Sequence, residues 1–265
     1  MSIQSLRVFI TGGASGLGHA LAKACLARGA RVCIADISEP AEPLDGVLYL
    51  PCDVTELAQL EAACDTLSQR WGGVDWVFNN AGVAQVGPIE TVSMDDWHWI
   101  IQINLLGVVR GCKAFTPMLK RQGHGHIINV ASMAGLLDVA NMSSYNATKA
   151  AVVSLSETLH NELAPHGVGV SVVCPSFFRT NLGQAMRSTI PNMDKSLDKL
   201  MQKSPLNADD VAALVLRAVD RKQFYILPHA PARRLWLAKR LLPRNWYVRL
   251  VRKGGKPGGI KKASR

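Results

Sequence analysis

No stretch of this sequence approaches the roughly 18 consecutive apolar residues that a membrane-crossing helix needs, which excludes a spanning segment. Nor is there a Cys-x-x-Cys pair. Cys25, Cys33, Cys52, Cys64, Cys112 and Cys174 each sit inside an apolar periodic segment, the pattern of reduced cysteines packed in a core rather than of a thiolate metal site. The one close histidine pair, His124 and His126, lies in a glycine-rich turn with no third ligand nearby, so both are expected to serve a loop and no metal is expected. A basic flank, a long apolar stretch and a small-residue cleavage site are all missing behind the first residues. Leu6 to Thr11 therefore reads as a first strand, and a cytoplasmic protein is the expectation. The first 230 residues contain no Pro/Gly/Ser-rich linker and no repeat at solenoid periods. Acidic residues are absent from 221–265, a segment with 14 Lys and Arg; this leaves 16 of the 30 basic residues against all 20 acidic ones elsewhere. The net charge of +10 belongs to a tail.

What is present is alternation. Apolar, β-rich runs near 7–11, 31–35, 47–52, 74–79, 126–131, 168–174 and 223–227 are separated by helix-period segments or turn clusters. Nearly continuous apolar strands, as in Val168 to Val173, are those of a parallel sheet buried on both faces. Right-handed crossovers then place helices on either side, giving an α/β doubly wound sheet of about seven strands in three layers. A composition 48% apolar over 265 residues is ample for one such core. Residues 1–230 are expected to form that domain, including a substrate lid at about 181–203, and 231–265 a basic amphipathic extension. Ligands in such sheets bind outside the carboxyl ends of the strands, where the strand order switches.

The first strand runs into Thr11-Gly12-Gly13-Ala14-Ser15-Gly16-Leu17-Gly18 and then a helix. Free backbone N–H groups and the helix dipole can receive a pyrophosphate there, and glycine permits the close approach. A merely tight strand-to-helix turn is the plainer alternative. Strand 2 ends at Asp36, eighteen residues beyond Gly18 and near the spacing at which an acid hydrogen-bonds an adenosine ribose. Like charge at Asp36 would repel a 2′-phosphate, and neither Ile37 nor Ser15 supplies a cation, so NAD(H) is expected over NADP(H). An Asp ending a strand for turn reasons is again the plainer reading. Further on, Tyr145 and Lys149 stand four residues apart in a helical segment, which stacks a phenol and an ammonium on one face. A free phenol holds its proton to about pH 10, and a neighbouring cation would favour the phenolate.

Together these residues resemble the short-chain dehydrogenase/reductase family, over roughly residues 5–230. The glycine motif spans Thr11 to Gly18, Cys52-Asp53-Val54 carries the adenine-site acid, and Asn79-Asn80-Ala81-Gly82 matches the motif after strand 4. The resemblance implies a Rossmann-type fold and assigns Asn104, Ser132, Tyr145 and Lys149 to a catalytic tetrad. It also implies that Gly12, Ser15, Gly16, Leu17, Gly18, Asp36, Asp53, Val54, Asn80, Ala81, Gly82, Tyr145, Lys149, Pro175 and Thr180 hold the dinucleotide. Ser132 would hydrogen-bond the substrate oxygen, Tyr145 would exchange its proton, and Lys149 would hold the ribose while lowering the phenol pKa. Asn104, inside a helical segment near 93–120, would hold a water linking Lys149 to solvent. The family's Pro-Gly after strand 6 is Pro175-Ser176 here, which calls for a different backbone if a positive φ was needed. Association as a homodimer or homotetramer through helices near 93–120 and 145–163 is also implied. A catalytically silent NAD-binding scaffold is the alternative function. A serine hydrolase would lack its Gly-x-Ser-x-Gly elbow.

By family position the substrate pocket would draw on Leu136, Leu137, Val139, Met142, Phe177, Phe178, Leu182, Met186, Ile190 and Met193, which suits a lipophilic alcohol or carbonyl compound. The same side chains could instead cover the cofactor or pack the lid. In the tail, Leu235, Ala238, Leu241 and Leu242 can gather on one face of a helix with Arg233 and Arg240 opposite, and a second mixed segment follows Pro243. Residues 232–253 are thus a candidate for peripheral contact with a membrane surface. Packing on the parent domain or on a second subunit is the equal alternative. Nucleic acid is not expected, since no recognised binding motif accompanies the charge.

Overall fold

Within Arg7–Thr11 (β1), Val8 and Ile10 face one side of a sheet and Phe9 the other, all three fully buried, as the period-2 alternation of a strand covered on both faces requires. The structure, a computed structural model, describes residues 6–179, 183 and 185–254. Chain order then runs through Gly16–Leu26 (α1), Arg31–Asp36 (β2), Leu48–Pro51 (β3), Leu57–Trp71 (α2), Trp76–Asn79 (β4), Gln85–Val86 (β5) and Met94–Ile101 (α3). A π-helical turn at Gln102–Leu106 leads into Gly107–Gln122 (α4), followed by Gly125–Val130 (β6), Ala134–Leu137 (α5), Ser143–Leu163 (α6) and Val168–Val173 (β7). The remainder is Arg187–Ser188 (β8), Met193–Gln202 (α7), Ala208–Asp220 (α8), Tyr225–Ile226 (β9), Ala230–Leu241 (α9) and Arg244–Gly254 (α10).

Seven strands form one parallel sheet in the order β3-β2-β1-β4-β6-β7-β9. Phe9, Val77, Phe115, Ile127 and Val170 build the core on the face covered by α2, α4 and α6. Val8, Ile10, Ile34, Phe78 and Ile128 build the other, under α1 and α8. The doubly wound expectation holds. The order reverses between β1 and β4, so their carboxyl ends diverge and leave a crevice there.

One local expectation is corrected. His126 is no loop residue: it lies in β6, 5% exposed, with Nε2 2.7 Å from Ser171 Oγ, because a ring that finds a partner inside the sheet can be buried neutral. His124, outside the strand, keeps a turn position, with Nδ1 3.0 Å from the Gln122 carbonyl. The helical segment expected near 93–120 is present as Met94–Gln122, and a π turn centred on Asn104 widens it locally. Strands β5 and β8, paired in parallel, were not anticipated; two residues each are too short for periodicity to register. All six cysteines are buried and free, and no cluster of metal-ligating side chains occurs among the described residues.

Candidate active site

A cavity of about 840 Å³ opens at the switch point between β1 and β4. Its nucleotide end begins at the turn into α1. Gly12 has φ +64°, and a Cβ there would lie 2.7 Å from the Ala81 Cα, so only glycine lets the turn close on the segment after β4. Ser15 is the extended N-cap residue of α1 yet makes no side-chain cap, and no acid sits in the first helical turn. Unclaimed first-turn N–H groups at Gly16 and Leu17 therefore border the cavity, a setting suited to an anionic diphosphate. Gly18 plays another part: its added Cβ would fall 2.1 Å from the Gly12 carbonyl oxygen and 2.5 Å from Asn80 Nδ2, so it seats α1 against β1. Asn80 Nδ2 donates to the carbonyls of Thr11 and Gly12, both at 2.9 Å, and the Asn80 and Ala81 N–H groups donate to Thr11 Oγ1.

Asp36 ends β2 at the rim, where its carboxylate accepts the N–H of Ala14 at 2.9 Å and of Ser38 at 3.1 Å. Glu39, Glu42, Asp53 and Val54 line the same end; among the described residues no Arg lines this cavity, while Arg179 borders the adjoining hollow with Gly16, His19 and Glu42. One oxygen of Asp53 caps its own turn by accepting from the Thr55 N–H and hydroxyl, each at 2.8 Å.

The chemical end gathers three of the four tetrad positions onto the cavity wall. Ser132 follows β6, and Tyr145 and Lys149 share one face of α6. Ser132 Oγ accepts the Ala134 N–H at 3.1 Å and donates to the Pro175 carbonyl at 3.5 Å. Lys149 Nζ donates to the Val130 carbonyl at 2.9 Å and lies 5.9 Å from the centroid of the Tyr145 ring. Both groups are buried, and burial dominates both. It pushes the phenol above its ordinary value, against the opposing influence of Ser132, and pulls the Lys149 ammonium down to about 8. The expected lowering of the phenol by its neighbour is not met in this arrangement: helical spacing brought the pair together, but Lys149 Nζ is directed at the Val130 carbonyl and desolvation is the largest influence on the phenol. Asn104 stands behind this wall, fully buried. Its carboxamide pairs with both backbone groups of Val83, receiving N–H and donating to C=O at 2.8 Å each. Gly82 fits between, since a Cβ there would lie 3.1 Å from Asn104 Oδ1 and 3.4 Å from Lys149 Nζ.

Pro175 lines the cavity, and its carbonyl accepts the Met133 N–H at 2.9 Å. Ser176 is not among the chain's left-handed residues, so the missing glycine costs no backbone strain here. Its N–H donates instead to His229 Nδ1 at 3.1 Å. Thr180 and Leu182 lie outside the described residues. Of the expected pocket side chains, Leu137, Val139, Met142, Phe177 and Phe178 do border the cavity. Leu136 does not, nor do Met186, Ile190 and Met193, which pack on the cluster around Met142 and Tyr145. Val83, Val86, Leu197 and Met201, not foreseen, complete the apolar wall. A half-apolar segment between two motifs carries no periodic sign of facing a ligand.

A nucleotide-binding oxidoreductase on a Rossmann fold is the class this sheet and cavity define. The family model described as short chain dehydrogenase matches residues 7–191. A CLA biosynthesis dehydrogenase/reductase of Lactiplantibacillus plantarum is 32% identical over 249 residues, 84% of this chain and 87% of that protein. The 3-alpha-(or 20-beta)-hydroxysteroid dehydrogenase of Mycobacterium tuberculosis is 37% identical over 177 residues, 64% of this chain and 68% of its own. Among solved structures, a short chain dehydrogenase/reductase from Burkholderia phymatum in complex with NAD has a TM-score of 0.84 at 32% identity, covering 98% of this chain and 100% of that one. A short chain dehydrogenase from Burkholderia cenocepacia in complex with NADP has a TM-score of 0.79 at 25% identity, with 95% and 99% covered. The chain belongs to the short-chain dehydrogenase family.

Proposed function

We propose that the protein is an NAD-dependent oxidoreductase interconverting a lipophilic secondary or primary alcohol and its carbonyl compound, with Tyr145 as general acid/base. The observation that carries this reading is the meeting of Ser132, Tyr145 and Lys149 in one cavity whose far end is the uncapped turn before α1. The bound cofactor would supply the hydride donor or acceptor. Gly12, Ser15, Gly16 and Leu17 would hold its diphosphate, Asp36 its adenosine ribose, Asp53 and Val54 its adenine, Asn80 to Gly82 and Lys149 its second ribose, and Pro175 with Thr180 its carboxamide. In carbonyl reduction the Ser132 hydroxyl donates to the substrate oxygen and the Tyr145 phenol gives that oxygen its proton; in alcohol oxidation the proton moves the other way. A phenol pushed upward by burial stays protonated near neutrality, the form reduction needs. Asn104 supports Lys149 through Val83 and Gly82 and is the proposed route for proton exchange.

The NAD preference rests on the acidic rim of Asp36, Glu39 and Glu42, which would meet a 2′-phosphate with like charge. Lipophilicity rests on the wall of Leu137, Val139, Met142, Phe177, Phe178 and Met201, and agrees with a relative named as a hydroxysteroid dehydrogenase. The test is NADH absorbance across alcohols and ketones graded by chain length and ring number. Tyr145→Phe should lower turnover at least a hundredfold with NADH binding retained; equal turnover removes Tyr145 from the mechanism.

Self-association through α4 and α6 and peripheral membrane contact are part of the same reading. No helix among the described residues is long and apolar enough to cross a membrane. The outward side chains of α9 and α10 include Leu237, Leu241, Leu242 and Trp246, all exposed, among Arg233, Arg234, Arg240 and Arg244. This differs from the grouping read off the sequence, because Trp236 turns inward onto Tyr225 and rotates the helix. Anionic lipid suits that mixture of apolar anchors and cations. Truncating the tail would strip a packed helix, so the sharper test is Leu237→Glu/Leu241→Glu in the full chain. Wild type should sediment with phosphatidylglycerol-containing vesicles and the variant should not; equal sedimentation of the two refutes the contact.

A further inference from the structure

Two loops frame the chemical end of the cavity, 132–142 after β6 and 175–178 after β7, and both are tied to the same element. Helix α9 begins at His229, which is 8% exposed and accepts the Ser176 N–H at Nδ1, with its ring 5.9 Å from that of Phe178. Two turns on, α9 lays Trp236 against Tyr225, ring centroids 5.0 Å apart. One turn further, Lys239 Nζ donates to the Leu136 carbonyl at 2.7 Å and pairs with the Asp138 carboxylate. That carbonyl belongs to the last turn of α5, whose acceptors have no partner inside the helix. Asp138 caps it with φ +56°, a conformation a non-glycine residue holds only with outside support. Leu137 and Val139, on either side of Asp138, border the cavity, as do Ser176, Phe177 and Phe178 in the other loop. The family-model match ends at residue 191, and α9 lies beyond it.

We infer that α9 is a built-in brace of the active site, with Lys239 and His229 as positioning residues that hold the substrate-side and cofactor-side loops respectively. The inference rests on the proposed reading of this cavity as an alcohol or carbonyl site. Its specific content is a division of labour. Lys239 sets the shape of the 136–139 rim and hence recognition of the substrate body. His229 sets the Pro175-Ser176-Phe177 backbone and hence the grip on the cofactor. Neither touches the reacting atoms, so neither should alter the chemical step.

The test uses the full chain carrying Lys239→Met, Lys239→Arg or His229→Phe, with kcat and KM measured on the best substrate of the panel and the NADH dissociation constant from fluorescence. Lys239→Met should raise the substrate KM five- to tenfold while kcat and the NADH constant stay within twofold. Lys239→Arg, which still reaches carbonyl and carboxylate, should restore the wild-type KM. His229→Phe keeps the packing on Phe178 but loses the acceptor; it should weaken NADH at least threefold, and any rise in substrate KM through Phe177 and Phe178 should stay below that of Lys239→Met. Both constants moving together in both variants would mean general loosening and would overturn the inference, as would an unchanged KM in Lys239→Met. Hydrogen exchange separates this from failure of the underlying function. With or without turnover, amides 134–142 should exchange faster in Lys239→Met than in wild type, and unchanged exchange refutes the brace.

Discussion

Acidification should destabilise this protein through one histidine in the sheet. The Ser171 hydroxyl donates to the Gln223 carbonyl at 2.7 Å, which commits its hydrogen, so His126 must donate to Ser171 Oγ from Nε2. Nδ1 is then the bare nitrogen. It faces Gly169 so closely that a Cβ there would lie 2.8 Å away. Burial, with Lys222 and His160 adding repulsion, lowers the His126 pKa from 6.5 to about 4. The folded state thus keeps His126 neutral while the unfolded chain takes up its proton near 6.5. Between those values the unfolded state binds more protons, so stability falls as pH falls; above 6.5 and below 4 the contribution is flat. At ~1.4 kcal/mol per unit, going from pH 7.5 to 4.5 should remove roughly 2–3 kcal/mol through this residue alone. Urea unfolding followed by circular dichroism at both pH values, on wild type and His126→Gln, isolates it, because the amide keeps a donor toward Ser171 and cannot titrate. Carboxylates and the other histidines contribute alike to both proteins. The wild type should lose roughly 2–3 kcal/mol more than the variant over that range; parallel losses would refute the assignment of a buried, neutral ring.

Gly18→Ala would drive a methyl group to 2.1 Å from the Gly12 carbonyl oxygen, backbone that cannot swing aside. It should cost about 1–3 kcal/mol in thermal or urea unfolding and weaken NADH in fluorescence titration, by lifting α1 off β1. Asp36→Ser removes the charge at the rim, together with the carboxylate that receives the Ala14 and Ser38 N–H groups. The ratio of kcat/KM for NAD over NADP should fall at least tenfold, and an unaltered ratio would place cofactor discrimination elsewhere.

Much of the architecture was legible because parallel strands buried on both faces are written as apolar runs, and β1, β2, β4, β6 and β7 each carry one. The glycine turn was legible for the same local reason: its geometry depends on residues adjacent in sequence. Helical periodicity likewise put Tyr145 and Lys149 on one face of α6. The short pair β5 and β8 was not legible, since neither has enough residues to show a period and each exists through the other. His126 was misread because a histidine beside glycines looks like a turn until β7 supplies Ser171.

By itself the sequence determined the strand-helix alternation, the uncapped glycine turn and the order of motifs that mark a short-chain dehydrogenase. These are local properties, set by neighbours within a few residues. Tertiary structure decided what distant neighbours decide: that the Lys149 ammonium donates to the Val130 carbonyl, that burial pushes the Tyr145 phenol upward, and that His229 takes the N–H of Ser176. It also decided that the basic tail turns Trp236 and Lys239 inward against the loops around the cavity. The physical reason is that burial and hydrogen-bond partners belong to a position in space, which periodicity does not encode.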